Sequence, residues 1–209
     1  MAGKKRSGLT SHRRAYGCGI CYIDFRNKNQ SPIPNPTPTP TPTPTPCPPI
    51  TLSDIATFDG EQWSILSDKT ILECQTLILP VDTVVAIISI GSLVNNGTII
   101  NNSNFSNSSY LVNNGIIINN NTFQNDVFSN IVNNGTINNK GTFLNDTNGI
   151  ITNSNGAKIY NNSGGIITNN SNNFINNGSI ENADGTSSCG AGTLSGTFPI
   201  TATGNQCPP

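Results

Sequence analysis

The sequence predicts an all-β fold, a single-stranded parallel β-helix (β-solenoid). One observation is a phrase that returns along Leu93–Ile180, most clearly as VNNGTI (Val94–Ile99), VNNGII (Val112–Ile117) and VNNGTI (Val132–Ile137). These copies begin 18 and 20 residues apart with degenerate copies between them, so three six-residue sides make one coil of roughly 18–20 residues. A helix is disfavoured because Ile and Val are stiff at χ1, while Asn and Gly compete with or weaken helical hydrogen bonding.

Asparagine dominates the repeat, with 30 Asn among the 90 residues from 93 to 182. Such a bias is typical of disordered or prion-like segments. The periodic Ile, Val, Leu and Phe argue against disorder, because stacked coils can bury them in a narrow core. Stacked Asn side chains can also hydrogen-bond from coil to coil, and Asn tolerates the left-handed backbone of tight corners.

Residues 1–30 are predicted to be a disordered, basic attachment arm. Residues 1–28 carry seven Lys and Arg against one Asp, a balance of +6, while the remaining residues balance at −7. The residues expected to anchor the arm to a partner are Lys4, Lys5, Arg6, Arg13, Arg14, Cys18 and Cys21. The CxxC spacing of Cys18 and Cys21 is half of a zinc site, and four ligands are normally needed, so no metal and no cofactor are predicted. The charge suits nucleic acid, an anionic membrane or an acidic protein lattice.

Residues 31–49 form a Thr-Pro tract that is predicted to be a polyproline II linker. Alternating Pro fixes every second φ and keeps the preceding residue extended. At about 3.1 Å per residue, its 19 residues reach roughly 60 Å.

Residues 50–92 are predicted to be the N-terminal cap and first coils. Thr70–Leu79 and Thr83–Ile90 are rich in β-branched residues and are each predicted to be a strand. The cap is expected to include four residues, Asp54, Asp59, Glu61 and Trp63. The solenoid proper is expected at 93–182, followed by a C-terminal cap or tail at 183–209. Candidate disulfides that would staple the two caps are Cys189–Cys207 and Cys47–Cys74, among the 15 pairings that six Cys allow.

The repeat is poor in reactive groups. Between Leu93 and Ile180 it has four charged residues, with no His and no Cys, so no catalytic triad can be built there and no catalytic residue is predicted. One pair is of interest: Asp126 and Asp146 occupy the same place in two copies of one phrase, 20 residues apart. On adjacent coils they would stack about 4.8 Å apart. They would then form a candidate cation pair, a glycoside-cleaving pair, or two carboxylates at a solvated corner.

The NNGTI phrase, with an apolar lead-in at Leu77–Leu93, resembles the Asn/Gly-rich parallel β-helix proteins of bacterial adhesins and large DNA viruses of protists. The resemblance covers roughly residues 70–180 and carries over no functional residue. No secretory signal or transmembrane segment is apparent, which departs from secreted adhesins and favours a virion component.

The first hypothesis is therefore a structural, non-enzymatic virion-surface or fibre-like protein. Residues 1–30 would bind capsid or other surface proteins, with no specific nucleic acid, and the solenoid would attach to a host glycan or protein. The alternatives are a carbohydrate-active enzyme that uses Asp126 and Asp146, and an aggregation-prone scaffold without a defined ligand. Handedness is left open, and so is assembly into a homotrimer.

Overall fold

In the computed structural model the chain forms a β-solenoid of parallel stacked sheets, as the sequence predicts. The structure describes residues 46–162 and 164–182, and the backbone of 186–188, 194–195 and 200–202. Three strands wind into each coil, and successive coils add one strand to each of three sheets. No helix among the described residues is long and apolar enough to cross a membrane.

The elements in chain order are α1 (Leu52–Ile55), β1 (Thr57–Phe58), β2 (Trp63–Ile65), β3 (Lys69–Ile71), β4 (Thr76–Leu79), β5 (Val84–Ile87), β6 (Ser92–Asn95), β7 (Thr98–Asn101), β8 (Asn104–Asn107), β9 (Tyr110–Asn113), β10 (Ile116–Asn119), β11 (Thr122–Asn125), β12 (Asn130–Asn133), β13 (Thr136–Asn139), β14 (Thr142–Asn145), β15 (Ile150–Asn153), β16 (Lys158–Asn161), β17 (Ile166–Asn169), β18 (Phe174–Asn176), β19 (Ser179–Asn182), β20 (Thr186–Ser188), β21 (Leu194–Ser195) and β22 (Ile200–Ala202). Sheet A has the order β1-β2-β5-β8-β11-β14-β17-β20, sheet B runs from β3 to β21 and sheet C from β4 to β22, in steps of three. Coil 1 contains β2, β3 and β4, coil 2 the next three strands, and so on.

Nearly every strand of the repeat has the same four-residue pattern, in which the second and fourth side chains point inward. The second is apolar and the fourth is Asn, as in Thr122–Asn125, where Phe123 and Asn125 are both fully buried. The alternation follows from the period of two of a β-strand. In sheet A three phenylalanines, Phe105, Phe123 and Phe143, stack with ring centroids 5.3 and 5.0 Å apart. The core is thus a set of columns of identical or similar side chains.

The inward asparagines form three hydrogen-bonded ladders that run the length of the repeat. In each rung the Nδ2 of one Asn donates to the Oδ1 of the Asn in the next coil, at 2.7–3.0 Å. The sheet A ladder is Asn107, Asn125, Asn145 and Asn169, the sheet B ladder is Asn95, Asn113, Asn133, Asn153 and Asn176, and the sheet C ladder is Asn101, Asn119, Asn139, Asn161 and Asn182. In most rungs the second N–H donates to a backbone carbonyl of the next coil, as Asn101 does to Thr122 at 2.8 Å. Burial of these amides is tolerated because their hydrogen bonds are made.

In all three ladders the first Asn stacks on an aliphatic residue, which occupies the same inward position in the preceding coil. Ile71 lies under Asn95, Leu79 under Asn101 and Ile87 under Asn107. The ends of the sheet B ladder keep unpaired buried atoms, the Oδ1 of Asn95 and the Nδ2 of Asn176. Every rung of this ladder donates in the same direction. The Oδ1 of the first Asn therefore has no donor within the ladder, and the Nδ2 of the last has no acceptor.

The corners between strands explain why the period varies. Coil 3 has only two-residue corners, and the rung from Asn107 to Asn125 spans 18 residues of chain. Where the corners have four residues the period lengthens, so that the rung from Asn145 to Asn169 spans 24 residues. The predicted period of roughly 18–20 residues therefore holds for coils 2 to 4 and is too short for coils 1 and 5.

Most four-residue corners turn through a residue in the left-handed region of the backbone, although those at 72–75, 88–91 and 170–173 do not. The third residue has positive φ at five such corners, at Asp82, Phe128, Asn148, Gly156 and Gly164. Asn, Asp and Gly adopt this conformation more readily than other residues, so three of the four residue types at these places suit the turn.

Glycine is required where a two-residue corner stacks directly on its neighbour. At Gly115 an added Cβ would collide with the backbone carbonyl of Gly97, and at Gly135 with that of Gly115. The backbone cannot yield there without breaking the stack. The Asn-Asn-Gly of the repeated phrase is thus an inward ladder Asn, a corner Asn and a glycine that permits close approach.

The residues that precede the first coil form a short helix and one antiparallel strand, while Trp63 begins the first strand of coil 1. The apolar face of α1 buries Leu52 and Ile55 against the core, and β1 pairs antiparallel with β2 at the first edge of sheet A. Thr51 and Asp54 form a capping box, and the Thr51 hydrogen bonds lower the pKa of Asp54. Asp59 accepts from the backbone N–H groups of Glu61 and Gln62 in the β1–β2 turn, and Trp63 packs against the core.

The strands predicted within the first coils were wrong in extent. Thr70–Leu79 contains a corner between β3 and β4, because Gln75 accepts from the N–H of Leu72 and closes a turn. The strand expected at Thr83–Ile90 ends at Ile87, and a four-residue corner follows. Cys74 lies in the β3–β4 corner and forms a disulfide with Cys47, which is one of the pairings suggested from the sequence.

The C-terminal region was predicted to be a cap or tail, but it contributes strands. β20, β21 and β22 each add in parallel to the end of one sheet, with Ile200 paired to Ile180. The repeat phrase has faded by this point, while the stacking of strands in register persists. The solenoid therefore extends one coil beyond the recognisable sequence repeat. Cys189 and Cys207 lie outside the described residues.

We expect the buried ladders to dominate stability, and two adjacent asparagines test this. Asn119→Ala removes the acceptor of Asn101 and the donor to Asn139, both buried, and should lower the free energy of unfolding by about 3–6 kcal/mol. Asn120→Ala removes an exposed hydrogen bond to Asn102 and should cost less than about 1 kcal/mol. Urea denaturation of both variants measures the difference. Equal losses would show that the inward ladder has no special weight.

Candidate functional site

The outer faces of the solenoid are largely uncharged, and the exception lies on sheet C. From Ser92 to Asn125 the chain has no charged residue. On sheet C the first outward position is occupied, coil by coil, by Thr76, Thr98, Ile116, Thr136, Lys158 and Ser179, and the second by Ile78, Ile100, Ile118, Asn138, Tyr160 and Glu181. The face thus changes from Thr and Ile to charged, aromatic and hydroxyl side chains at coils 5 and 6.

Four of these residues form a cluster that we call the polar patch, Lys158, Tyr160, Ser179 and Glu181. Strand register stacks Lys158 on Ser179 and Tyr160 on Glu181, so each pair lies about 4.8 Å apart along the solenoid. The Lys158 Nζ donates to the Tyr160 hydroxyl at 3.0 Å and lies 5.6 Å from the centroid of its ring. A cation, an aromatic ring, a hydroxyl and a carboxylate therefore share one small area.

The patch also controls the charge of its lysine. The hydrogen bond to Tyr160 raises the pKa of Lys158, the charge interaction with Tyr160 adds to it, burial opposes it slightly, and the negative charge of Glu181 raises it further. The contacts with Tyr160 and Glu181 thus favour the ammonium form, which a lysine already has at neutral pH. The charge of Glu181 is opposite to that of Lys158, so the patch as a whole carries no net charge.

A cavity lies beside the polar patch, where the corner between sheets B and C is longer in one coil than in its neighbours. Coils 4 and 6 turn this corner with Asn134-Gly135 and Asn177-Gly178, whereas coil 5 uses four residues, 154–157. The longer corner projects beyond its neighbours. Between it and coil 6 lies a cavity of about 290 Å³, which we call the corner cavity. It is lined by Asn155, Gly156, Ala157, Lys158, Asn177, Gly178 and Ser179. Both Asn side chains are exposed.

The lining of this cavity can hydrogen-bond a ligand. Two carboxamides and a hydroxyl supply both donors and acceptors, and the two glycines expose apolar backbone carbon. Among the described residues no group of three or more His, Cys, Asp or Glu is arranged to hold a metal ion.

The structure brings Asp126 and Asp146 to adjacent coils, as their spacing in the sequence predicts. Asn125 pairs with Asn145, so the carboxylates follow directly at stacked corners. Their partners differ: Ser108 donates to Asp126, while Asp146 accepts from the backbone N–H of Thr147 at 2.7 Å and from Gln124 at 3.5 Å. Both side chains are partly exposed. The pair is thus a solvent-facing corner with neutral hydrogen-bond donors around it.

The corner of coil 4 that contains Asp126 also carries an exposed apolar tip. Phe128 has φ 62° and is 79% exposed, a backbone conformation that is uncommon for a bulky residue. The equivalent residue in coil 5 is Asn148, for which this conformation is ordinary. The predicted anchor residues of the basic arm, Lys4 to Cys21, lie outside the described residues.

Neither the polar patch nor the corner cavity was predicted from the sequence. Lys158 was recognised only as one of the few charges of the repeat, and Tyr160 was not singled out. The signal that could have found them is positional: both occupy outward positions of a strand where the preceding coils carry Thr, Ile or Asn. The cavity depends on a four-residue corner between two short ones, which an irregular repeat hides.

Searches with this chain against protein-family models, curated proteins and solved structures find no match. Function is therefore inferred from the side chains and their geometry.

Tyr160→Phe should lower the pKa of Lys158 toward its ordinary value of 10.5, because it removes the hydroxyl that the ammonium group contacts. Since folding raises this pKa, the stabilising effect is present below pH 10.5 and is lost as the pH rises through the folded-state value. Titration of the lysine side-chain signals by NMR measures the shift. Tyr110→Phe, on sheet B, is the control and should leave it unchanged. An unaltered Lys158 titration in Tyr160→Phe would contradict the assigned cause.

Proposed function

We propose that this chain is a structural attachment protein of a virion surface or fibre. Residues 1–30 would anchor it to capsid or other surface proteins, and residues 31–49 would hold the solenoid away from that surface. The solenoid would then be displayed for attachment to a host glycan or protein. The particle exterior is the expected location, and no enzymatic activity is required for this role.

The observation that carries the proposal is the contrast between the inside and the outside of the solenoid. The inside is held by three continuous amide ladders and a stacked aromatic column, which favour a rigid body. The outside offers repeated Asn, Ser and Thr side chains with few reactive groups. Such a body suits display and repeated shallow contacts better than it suits chemistry.

The charge distribution and the disulfide support the same role. The basic arm is separated by the Thr-Pro tract from a mildly acidic body, which favours one end for anchoring and the other for display. The Cys47–Cys74 disulfide suits an oxidising environment, such as a particle exterior. The likeness of the NNGTI phrase to adhesin and viral β-helix proteins points the same way.

The full chain should be elongated in solution. Seven coils at about 4.8 Å give roughly 34 Å, and the Thr-Pro tract adds about 60 Å, so the maximum dimension should be on the order of 100 Å. Gel filtration with small-angle X-ray scattering measures it. A maximum dimension near that of the solenoid alone would contradict the spacer role.

Location is tested by labelling with an antibody against the solenoid. Intact particles from the source should be labelled on their exterior, and deletion of residues 1–30 should abolish incorporation. If the antibody labels the particles only after they are disrupted, the solenoid is not displayed on the exterior and the proposal is wrong.

Assembly into a homotrimer, as in many fibres, is a related proposal. The outward Ile78 is 54% exposed and Ile116 is 41% exposed on the uncharged part of sheet C, so a partner copy would cover apolar surface there. Sedimentation equilibrium of the full chain decides between a monomer and a trimer.

The second candidate function is a carbohydrate-active enzyme that uses Asp126 and Asp146, and their placement on adjacent coils favours it. Carboxyl groups about 5–5.5 Å apart suit a retaining glycosidase. We expect no hydrolysis when the protein is screened against polysaccharides by reducing-end release. Activity that is lost in Asp146→Asn, but kept in Asp82→Asn at an exposed corner of coil 1, would reverse the order of the two proposals.

A further inference from the structure

The corner cavity lies where the solenoid departs from its own repeat. The B–C corners of coils 2, 3, 4 and 6 are Asn-Gly pairs, and only coil 5, among the described coils from 2 to 6, has the longer corner 154–157. Gly156 adopts φ 82°, which lets the corner turn outward, and an added Cβ there would meet nothing within 4 Å. The base of this corner is packed on coil 6, where Ser154 and Ala157 lie against Gly178 and Ser179 donates its backbone N–H to the carbonyl of Ala157, whereas its tip at Asn155 and Gly156 is exposed.

The groups that line the corner cavity match an alcohol better than an ion. A sugar hydroxyl is both a donor and an acceptor, and so are the carboxamides of Asn155 and Asn177 and the hydroxyl of Ser179. The backbone carbon of Gly156, which is exposed, and of Gly178, which is partly exposed, suits the C–H face of a pyranose ring, while Ala157 is buried beneath them. Lys158 is the charged residue of the lining, and Glu181 lies on the paired strand beside it, so the cavity has no cluster of like charges to select an ion.

The volume of the corner cavity limits the size of the ligand. Sites for drug-sized molecules have volumes of roughly 300–1,000 Å³. The corner cavity, at about 290 Å³, is at the lower end and suits one sugar ring, with the rest of a glycan in solvent. A second cavity beneath the cap, about 120 Å³, is too small for this purpose.

We propose that the corner cavity binds one uncharged sugar residue of a glycan, with Asn155, Asn177 and Ser179 holding its hydroxyls and Lys158 at its edge. This inference rests on the proposed attachment function and names its ligand class. The shallow, exposed site should bind a single sugar weakly, with a Kd on the order of millimolar, and attachment would gain strength from several copies on one particle.

The test is an NMR titration of the full chain with glucose, galactose, mannose and N-acetylglucosamine, and with N-acetylneuraminic acid as an acidic comparator. At least one neutral sugar should shift the amide signals of residues 155–158 and 177–179 selectively. Asn177→Ala should weaken that binding about tenfold or more, because it removes a direct contact. Asn114→Ala is the matched control, an exposed Asn of an Asn-Gly corner three coils away, and should leave it unchanged.

Thermal unfolding of both variants checks that they fold, and Ser179→Ala gives a second, smaller change that should weaken binding without altering the corner. Shifts elsewhere, equal binding by both Asn variants, or binding of the acidic sugar alone would overturn the assignment. If no sugar binds while the protein still attaches to host cells, the cavity assignment falls and the attachment function stands with a protein receptor. If a sugar binds in the cavity while labelling places the protein inside the particle, the site stands and the attachment function falls.

Discussion

The structure depends on the need of a buried carboxamide for partners on two sides. An Asn side chain inside a coil has two N–H groups and a carbonyl, and no water reaches it. The ladder meets that need only if the next coil places an identical Asn about 4.8 Å away in register. The backbone ladder sets the coil height, and the asparagines hold the strands of coils 2 to 6 in one register with the amide always inward.

Corners have freedom that the strands lack. The interior is satisfied as soon as each strand returns to its place, so a corner of two or four residues serves equally well. This explains why coils of different length stack without a break, as at Phe143 and Ile167. It also explains where specific surfaces arise, since the cavity at Asn155, the carboxylates at Asp126 and Asp146, and the exposed Phe128 all belong to four-residue corners or to the residues next to them.

The fold was predictable because its signal is a repeated pattern with a simple period. The alternation of apolar residue and Asn, and the glycine at the tight corners, both appear directly in copies such as Val94–Ile99. The adjacency of Asp126 and Asp146 was predictable for the same reason. The first coils were less predictable. At Thr70–Leu79 a corner lies within a run of strand-forming residues, and side-chain type alone does not reveal the turn that Gln75 closes.

The candidate binding site was not predictable from the sequence, for a physical reason. The cavity arises because the corner of coil 5 is longer than the corner of coil 6. It can be recognised only when the register of these two coils is known. Lys158 and Ser179 are far apart in the chain, yet they are neighbours across a strand pair. An irregular period conceals such pairs even when every strand is recognised.

The uniform donor direction of the ladders has a consequence for how the molecule is made. Each ladder rung donates toward the C-terminal side, and the aliphatic positions Ile71, Leu79 and Ile87 end the ladders on the other side. A nascent chain that emerges with its N-terminus first therefore contains this apolar base before the partners of the first rung, Asn95 and Asn113, are both present. At these three positions the N-terminal coils offer aliphatic side chains, and no amide row, to another molecule.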